Sequence, residues 1–449
     1  MNSIRIKKGY DLKIAGAPDE DTKQLPAPDR VALLPSNIPF IKPKLTVKTG
    51  DAVQVGSPLV EDKREPSVKL LSPGGGRIAD IQFGPRRVLE AIVVEIDEDE
   101  KHIEFSTFSE NDIEKMQRRQ LVQAIVDGGL WPLIRELPFR DYPLPDASAP
   151  AIYVALDSLE PFHPRLETYL QDKRELLDYG LKVMQRLADG RLVVSAHVHS
   201  SGLIRQLNGA VTLTYAGGYP AHDPGVLLYH TKSSADQNHA WFIDAHDVVL
   251  IAELLRDGRY PTHRIISVAG SAVKDPGHAA VRIGMPLADL TADRIRGDDL
   301  RIIGGGILTG YASAPNSYLG LREKSINLLP QGNRPGELLS LFRPGYHRPS
   351  FSRAFTSRLN NAALEYDCNI HGGDRACIAC GYCTLICPVD ILPQFTYKSI
   401  LAGEVEESLQ HGLLDCVECG LCSYVCPSKL DLAESFKQAK ADFYKELGK

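Results

Sequence analysis

For 367 residues this chain contains no cysteine; all nine occur from Cys368 onward. That distribution excludes a disulfide framework spread over the fold, which belongs to small secreted domains, and points to metal ligands packed into one terminal segment. No apolar run approaches the roughly 20 residues of a membrane-spanning helix. The opening, Met1-Asn-Ser-Ile-Arg-Ile-Lys-Lys-Gly-Tyr-Asp, lacks an apolar signal core, so the expected location is cytoplasmic. There is no basic excess: 51 Lys and Arg against 57 Asp and Glu give a net charge of −6, and no nucleic-acid partner is expected. Neither Gly-x-Gly-x-x-Gly nor a phosphate loop ending in Gly-Lys-Ser/Thr occurs. No low-complexity tract or long linker interrupts the chain. With 43% apolar residues, 449 residues suffice for three or four globular domains.

Residues 30–100 read as β structure. Val47-Lys-Thr-Gly-Asp-Ala-Val-Gln-Val-Gly-Ser-Pro-Leu is strand, Gly-Asp turn and strand, and Leu70-Leu-Ser-Pro-Gly-Gly-Gly-Arg-Ile-Ala-Asp-Ile repeats the scheme. The pattern resembles the barrel-sandwich module of biotinyl and lipoyl carriers. Lys69, between Val68 and Leu70, lacks the hairpin-tip setting of a modified lysine, so the expectation is a purely structural module. Residues 111–255 alternate helix and strand. Asn111 is the expected N-cap of a helix over 112–127 stopped by Gly128-Gly129. Ala151-Ile-Tyr-Val-Ala-Leu and Arg191-Leu-Val-Val-Ser-Ala are strands, with helices over 167–188 and 248–256. Such alternation predicts a parallel sheet. Residues 262–330 return to strands with Gly-rich exits around a short helix near 285–296, as in a β-grasp domain. The rest reads as helical, including 395–400, 405–411 and 432–447. The fold class is multidomain α+β: barrel-sandwich hybrid over 1–105, Rossmann-like α/β domain over 106–260, β-grasp (SLBB-like) domain over 261–332, and α-helical ferredoxin domain over 333–449.

The chemistry sits in the last of these. Cys377-Ile-Ala-Cys380-Gly-Tyr-Cys383-Thr-Leu-Ile-Cys387-Pro388 recurs with identical spacing as Cys416-Val-Glu-Cys419-Gly-Leu-Cys422-Ser-Tyr-Val-Cys426-Pro427. Three thiolates two residues apart wrap one face of a cubane, and in two-cluster ferredoxins the fourth cysteine, before Pro, ligates the other cluster. This assigns Cys377, Cys380, Cys383 and Cys426 to one [4Fe–4S] cluster, and Cys416, Cys419, Cys422 and Cys387 to a second. Zinc ordinarily uses separated Cys-x2-Cys pairs instead. Cys368 is left as a free thiol. Gly74-Gly-Gly-Arg and Gly304-Gly-Gly-Ile read as turns. His197 and His199 would share a strand face, but no third metal ligand can be named, and no hydrolase constellation is present.

The module order resembles the flavoprotein subunit of respiratory complex I and the RnfC subunit of the Rnf electron-transport complex. Ile4-Arg-Ile-Lys-Lys-Gly-Tyr-Asp-Leu-Lys-Ile-Ala-Gly-Ala-Pro, Leu133-Ile-Arg-Glu-Leu-Pro-Phe-Arg, Val268-Ala-Gly-Ser-Ala-Val-Lys and Arg353-Ala-Phe-Thr-Ser-Arg-Leu are more similar still to the NqrA subunit of the Na+-translocating NADH:quinone oxidoreductase (Na+-NQR). Flavin-binding relatives carry Gly-x-Gly-Gly-x-Gly-Phe-Pro-Thr where this chain has Asp127-Gly-Gly-Leu-Trp-Pro-Leu-Ile-Arg-Glu-Leu-Pro-Phe. Their Glu-Cys-Glu-Pro is Ser158-Leu-Glu-Pro161 here. The resemblance thus implies loss of FMN and NADH binding, no catalytic residues on the isolated chain, and a peripheral subunit on the cytoplasmic face of the inner membrane. Its implied partners are the membrane subunits and the NADH-oxidising flavoprotein subunit, with quinone a possible ligand. Many NqrA subunits keep only remnants of the cysteine motifs; this chain keeps all eight positions.

Overall fold

The computed structural model describes residues 2–170, 173–188, 190–207, 209–332, 346, 349–351 and 356–448. Residues 353–355 of the fourth resembling segment, and 333–345 of the C-terminal region, lie outside them.

A six-stranded sheet forms the middle of the molecule, in the order Asn2–Arg5, Leu213–Ala216, Arg191–His197, Ala151–Ala155, Trp241–Asp244 and Arg135–Glu136. All neighbours are parallel except the short antiparallel edge Arg135–Glu136. Ala151–Ala155 is buried at every position, as expected of a strand covered on both faces. Helices Arg174–Leu187 and Ala245–Asp257 pack on each other and close one of those faces.

The helix expected over 112–127 is two helices. Ser109, not Asn111, caps the first, Glu110–Lys115, because the Asp112 carboxylate reciprocates its hydrogen bond in a capping box. Met116 is extended, and Gln117 begins the second, Arg118–Asp127. The predicted helix over 167–188 is likewise divided, into Leu166–Leu170 and Arg174–Leu187.

Two β modules flank this sheet. In the barrel-sandwich, strands Arg30–Leu33, Leu89–Ile96, Gly76–Phe83 and Ala52–Val53 face strands Pro43–Leu45, Pro58–Asp62 and Lys69–Leu71 across a core of Val31, Leu59, Leu70, Ile78 and Ile92. Lys69 lies in a strand opposite Glu61, away from any hairpin tip. The other module is a six-stranded sheet of Tyr311–Ser313, Leu300–Gly304, Ser325–Pro330, His263–Ala269, Gly277–Arg282 and Thr22–Gln24, packed on the short helix Leu287–Thr291. Two strands from residues 1–105 join the other two sheets. The first strand extends the central sheet and Thr22–Gln24 extends the third, so the N-terminal segment laces the modules together.

Buried charge does the same. Arg264, fully buried, donates to Asp247 at 2.7 Å and to the carbonyls of Leu321 and Glu323. Lys324 bonds the same Asp247 at 2.8 Å and Asp244 at 2.5 Å. The helix following Trp241–Asp244 is thereby riveted to the neighbouring sheet. Arg64 joins Asp62 to Asp141 and to the Tyr444 hydroxyl on the C-terminal helix Leu432–Glu446.

Removing one partner of such a pair strands its counter-charge in a dry site, at a cost of roughly 3–5 kcal/mol. Asp247→Ala is expected to lower stability by that amount, read as a shift in chemical-denaturation midpoint. An unchanged midpoint would show that the Arg264 charge is solvated in another way.

Candidate metal centre

Both cysteine motifs adopt the same backbone. The residue before the second cysteine is left-handed in each, Ala379 at φ 53° and Glu418 at φ 57°. The glycine after it is too, Gly381 at 76° and Gly420 at 77°, and each glycine opens a short helix, Tyr382–Ile386 or Leu421–Tyr424. Asp390 and Lys429, three residues past the cysteines that precede Pro388 and Pro427, repeat the match at 53° and 59°. A left-handed non-glycine residue costs about 1–2 kcal/mol. Paired runs of such residues turn backbone amides toward sulfur, and the Glu418 amide lies 3.4 Å from Cys416 Sγ.

The motifs are interleaved. Cys387, from the first, shares one small cavity of about 20 Å³ with Cys416, Cys419 and Cys422 of the second. In the other direction, the turn after Cys426 is stitched to the residues before Cys377. The Ser428 hydroxyl donates to the Ala376 carbonyl at 3.0 Å, and the Arg375 amide to the Ser428 carbonyl at 2.9 Å. Cys383 and Cys387 are buried and Cys380 is exposed. Among the described residues, no three or more His, Cys, Asp or Glu side chains close on a single-ion site. A cubane spans more space than one ion, and an all-thiolate donor set fits it.

Without iron the thiols of Cys416, Cys419 and Cys422 are held toward their protonated form. Burial pushes Cys416 up to about 11, and burial with neighbouring sulfurs pushes Cys419 and Cys422 well above the ordinary thiol value. Cluster binding must displace those protons.

The second motif is clamped from outside. Lys440, buried on the C-terminal helix, donates to the Cys416 carbonyl at 3.0 Å and to Glu418 at 2.6 Å. Arg140 donates to the Val417 carbonyl and to Asp223, and the Tyr219 hydroxyl donates to the Cys419 carbonyl at 2.8 Å. Lys8 reaches the first motif at the Thr384 carbonyl and Asp390. None of these four residues is apparent from the cysteine spacing. Lys440 left a signal: with Phe436 and Tyr444 it occupies one face at i, i+4 spacing, and both of those aromatic residues are buried.

Cys368 is a free cysteine packed near Ile14, Ile303 and Leu329. His197 ends its strand beside Tyr215, and His199 follows in the turn with its amide donating to His197.

Beside the second motif opens a cleft of about 1960 Å³, walled by the central sheet, the Gly304–Gly310 stretch and the ferredoxin domain. The segment at the position of the flavin loop does not face it as a glycine cradle. Gly129, at φ 68°, abuts Leu71, and an added Cβ would lie 2.4 Å from that side chain. Trp131, Pro132 and Leu133 form a buried 3-10 turn, with the Trp131 indole donating to the Pro143 carbonyl. Glu160 is buried at the cleft, accepting from the Leu308 amide at 2.7 Å and facing the Thr309 hydroxyl at 3.3 Å.

Comparison with known proteins places this architecture. Residues 4–97 match the NqrA N-terminal barrel-sandwich hybrid domain, 116–260 the NqrA second alpha/beta domain, 265–314 the NQRA C-terminal domain, and 376–430 the 4Fe-4S dicluster domain. The NqrA subunits of the Na(+)-translocating NADH-quinone reductase from Yersinia pestis, Serratia proteamaculans and Saccharophagus degradans are 32%, 31% and 32% identical over 415, 416 and 417 residues. Each alignment covers 92% of this chain and 92% of the relative. The chain belongs to the NqrA family of Na+-translocating NADH-quinone reductase subunits. As a member of that family it is a component of an oxidoreductase, and its dicluster domain is of the iron–sulfur type. Among the described residues no helix is long and apolar enough to cross a membrane. A chain of an NAD+-reducing [NiFe]-hydrogenase aligns at 15% identity with a TM-score of 0.38, covering 76% of this chain and 63% of that one, a likeness that carries no argument.

Burial raises the Glu160 carboxyl from its ordinary 4.5 to about 7, against the hydrogen bonds it accepts. Between those values the folded protein holds a proton that the unfolded chain has lost, so this group makes stability fall as pH rises through the window. Glu323, raised in the same way, adds to the slope. Glu160→Gln, which keeps an acceptor for the Leu308 amide, is expected to flatten the pH dependence of the melting temperature between about pH 5 and 7. An unaltered slope would place the titration elsewhere.

Proposed function

We propose that this chain is the peripheral NqrA subunit of a Na+-translocating NADH:quinone reductase and carries two [4Fe–4S] clusters. It sits on the cytoplasmic face of the inner membrane, bound to the membrane subunits and to the NADH-oxidising flavoprotein subunit. The complex passes electrons from NADH to quinone, reducing ubiquinone to ubiquinol, and exports Na+. Alignment with NqrA relatives over nearly the whole chain carries this reading. Four modules are assigned, at 1–105, 106–260, 261–332 and 333–449, with the first lending a strand to each of the next two.

Cys377, Cys380, Cys383 and Cys426 hold one cluster; Cys416, Cys419, Cys422 and Cys387 hold the other. When bound, the clusters supply one-electron transfer. The protein's own work is positional: Lys440 and Tyr219 hold the second loop by its carbonyls, and Arg140 holds it against the central sheet.

FMN and NADH belong elsewhere in the complex in this reading. A flavin phosphate is held by amides that a glycine loop brings close at a helix N-terminus. Here Leu130, Trp131 and Leu133 are completely buried where that loop would run, and Pro132 has no amide to donate. Iron, acid-labile sulfide and flavin assayed on anaerobically purified protein test the reading. About eight iron and eight sulfide with no flavin are expected. Zinc without sulfide would refute the clusters, and stoichiometric flavin would favour an NADH-oxidising protein of the Rnf type.

A further inference from the structure

The cleft beside the second motif has an unbalanced charge on one wall. Arg135 donates to Asp244 at 3.1 Å, and Lys324 binds both Asp244 and Asp247. Asp247 is also the partner of Arg264. Arg322 stands beside them and forms no ion pair with any described carboxylate; its Nε and Nη2 both donate to the Pro132 carbonyl. Three cations thus share two carboxylates, and Arg322 adds a fourth positive charge beside them. The next nearest acids do not restore the balance. Asp223 is engaged by Arg140, and Asp141 by Arg64. Glu160 and Glu323, also on the cleft, are held toward their neutral forms by burial.

The surplus is felt at Arg322. Burial, then repulsion from Arg135, pushes its guanidinium down to about 9. Arg322 is half-buried at the cleft wall, and a counter-ion reaching it would offset that partial desolvation. Donors are left over as well: Arg135 Nε and Arg140 Nε are buried at the cleft wall without a hydrogen-bond partner. A buried donor with no acceptor retains its full desolvation penalty until a ligand supplies one. The Phe242 ring lies beneath Arg135 at 4.4 Å and Arg140 at 5.4 Å, holding both guanidinium planes in place. Fork-shaped, immobilised guanidinium groups are suited to a planar or tetrahedral oxyanion.

We propose that the cleft wall formed by Arg322, Arg135 and Lys324 binds the oxyanion group, phosphate or carboxylate, of a small organic ligand. The cleft is far larger than the anion alone and is also lined by Cys419 and Gly420, so the remainder of the molecule extends along it. This site goes beyond the family assignment and does not depend on it. It also differs from the flavin-loop position, which Trp131 and its neighbours fill.

Calorimetric titration of the anaerobically purified, cluster-loaded chain tests it, with inorganic phosphate and succinate as separate probes in chloride buffer. One of the two is expected to bind saturably, in the millimolar range or tighter, and the stronger arm names the chemistry. Arg322→Gln and, separately, Arg135→Gln should each weaken that binding about tenfold or more, with cluster absorbance unchanged; tenfold corresponds to about 1.4 kcal/mol. Absence of saturable binding of both probes to the unaltered chain overturns the proposal, whatever the variants do. Binding that survives undiminished in whichever variant folds overturns it equally.

Discussion

The proposed clusters depend on one constraint: in the crossed arrangement each cysteine motif takes its last thiolate from the other. The packing of the C-terminal domain is what that exchange would require. Cys387 must reach the cavity of the second motif, and the Cys426 turn must lie against the residues before Cys377. Left-handed residues at matched positions in both loops meet the requirement at a conformational cost that metal binding offsets. The domain is then fixed to its neighbours through carbonyls of the second loop, which Lys440, Arg140 and Tyr219 hold from two sides. The loop is thus held in place by the protein itself.

The same packing explains the cleft. The modules meet around it, and the chain that crosses where a flavin loop would run has turned inward, burying Trp131 against Trp241. Its Pro132 carbonyl, left at the cleft edge, is taken by Arg322. A large cleft therefore lies beside a segment that offers no glycine cradle, with Arg322, Arg135 and Lys324 grouped on one part of its lining. Glu160 has become a tie between the central sheet and the Gly304–Gly310 stretch.

Much of this was legible in the sequence. Spacing of the cysteines exposed the two motifs and the internal repeat, because ligand chemistry tolerates no drift. Alternating apolar runs located the parallel strands. Less legible were features set by long-range contact. Nothing local shows that Asn2–Arg5 pairs with Leu213–Ala216, or that Thr22–Gln24 joins the third sheet, since polar edge strands lack a periodic signature. The Ser109 cap escapes a local reading because two polar residues compete within three positions, and the Asp112 side chain decides between them. Nothing local marks Arg264 and Lys324 for burial; tertiary pairing with Asp247 buries both.

The exchanged fourth ligand is tested most directly by electron paramagnetic resonance of the dithionite-reduced protein, comparing Cys426→Ala with Cys377→Ala and Cys416→Ala. The crossed arrangement predicts that Cys426→Ala loses the same signal as Cys377→Ala, leaving the signal that Cys416→Ala abolishes. A Cys426→Ala spectrum matching that of Cys416→Ala would contradict it, because each motif would then ligate its own cluster.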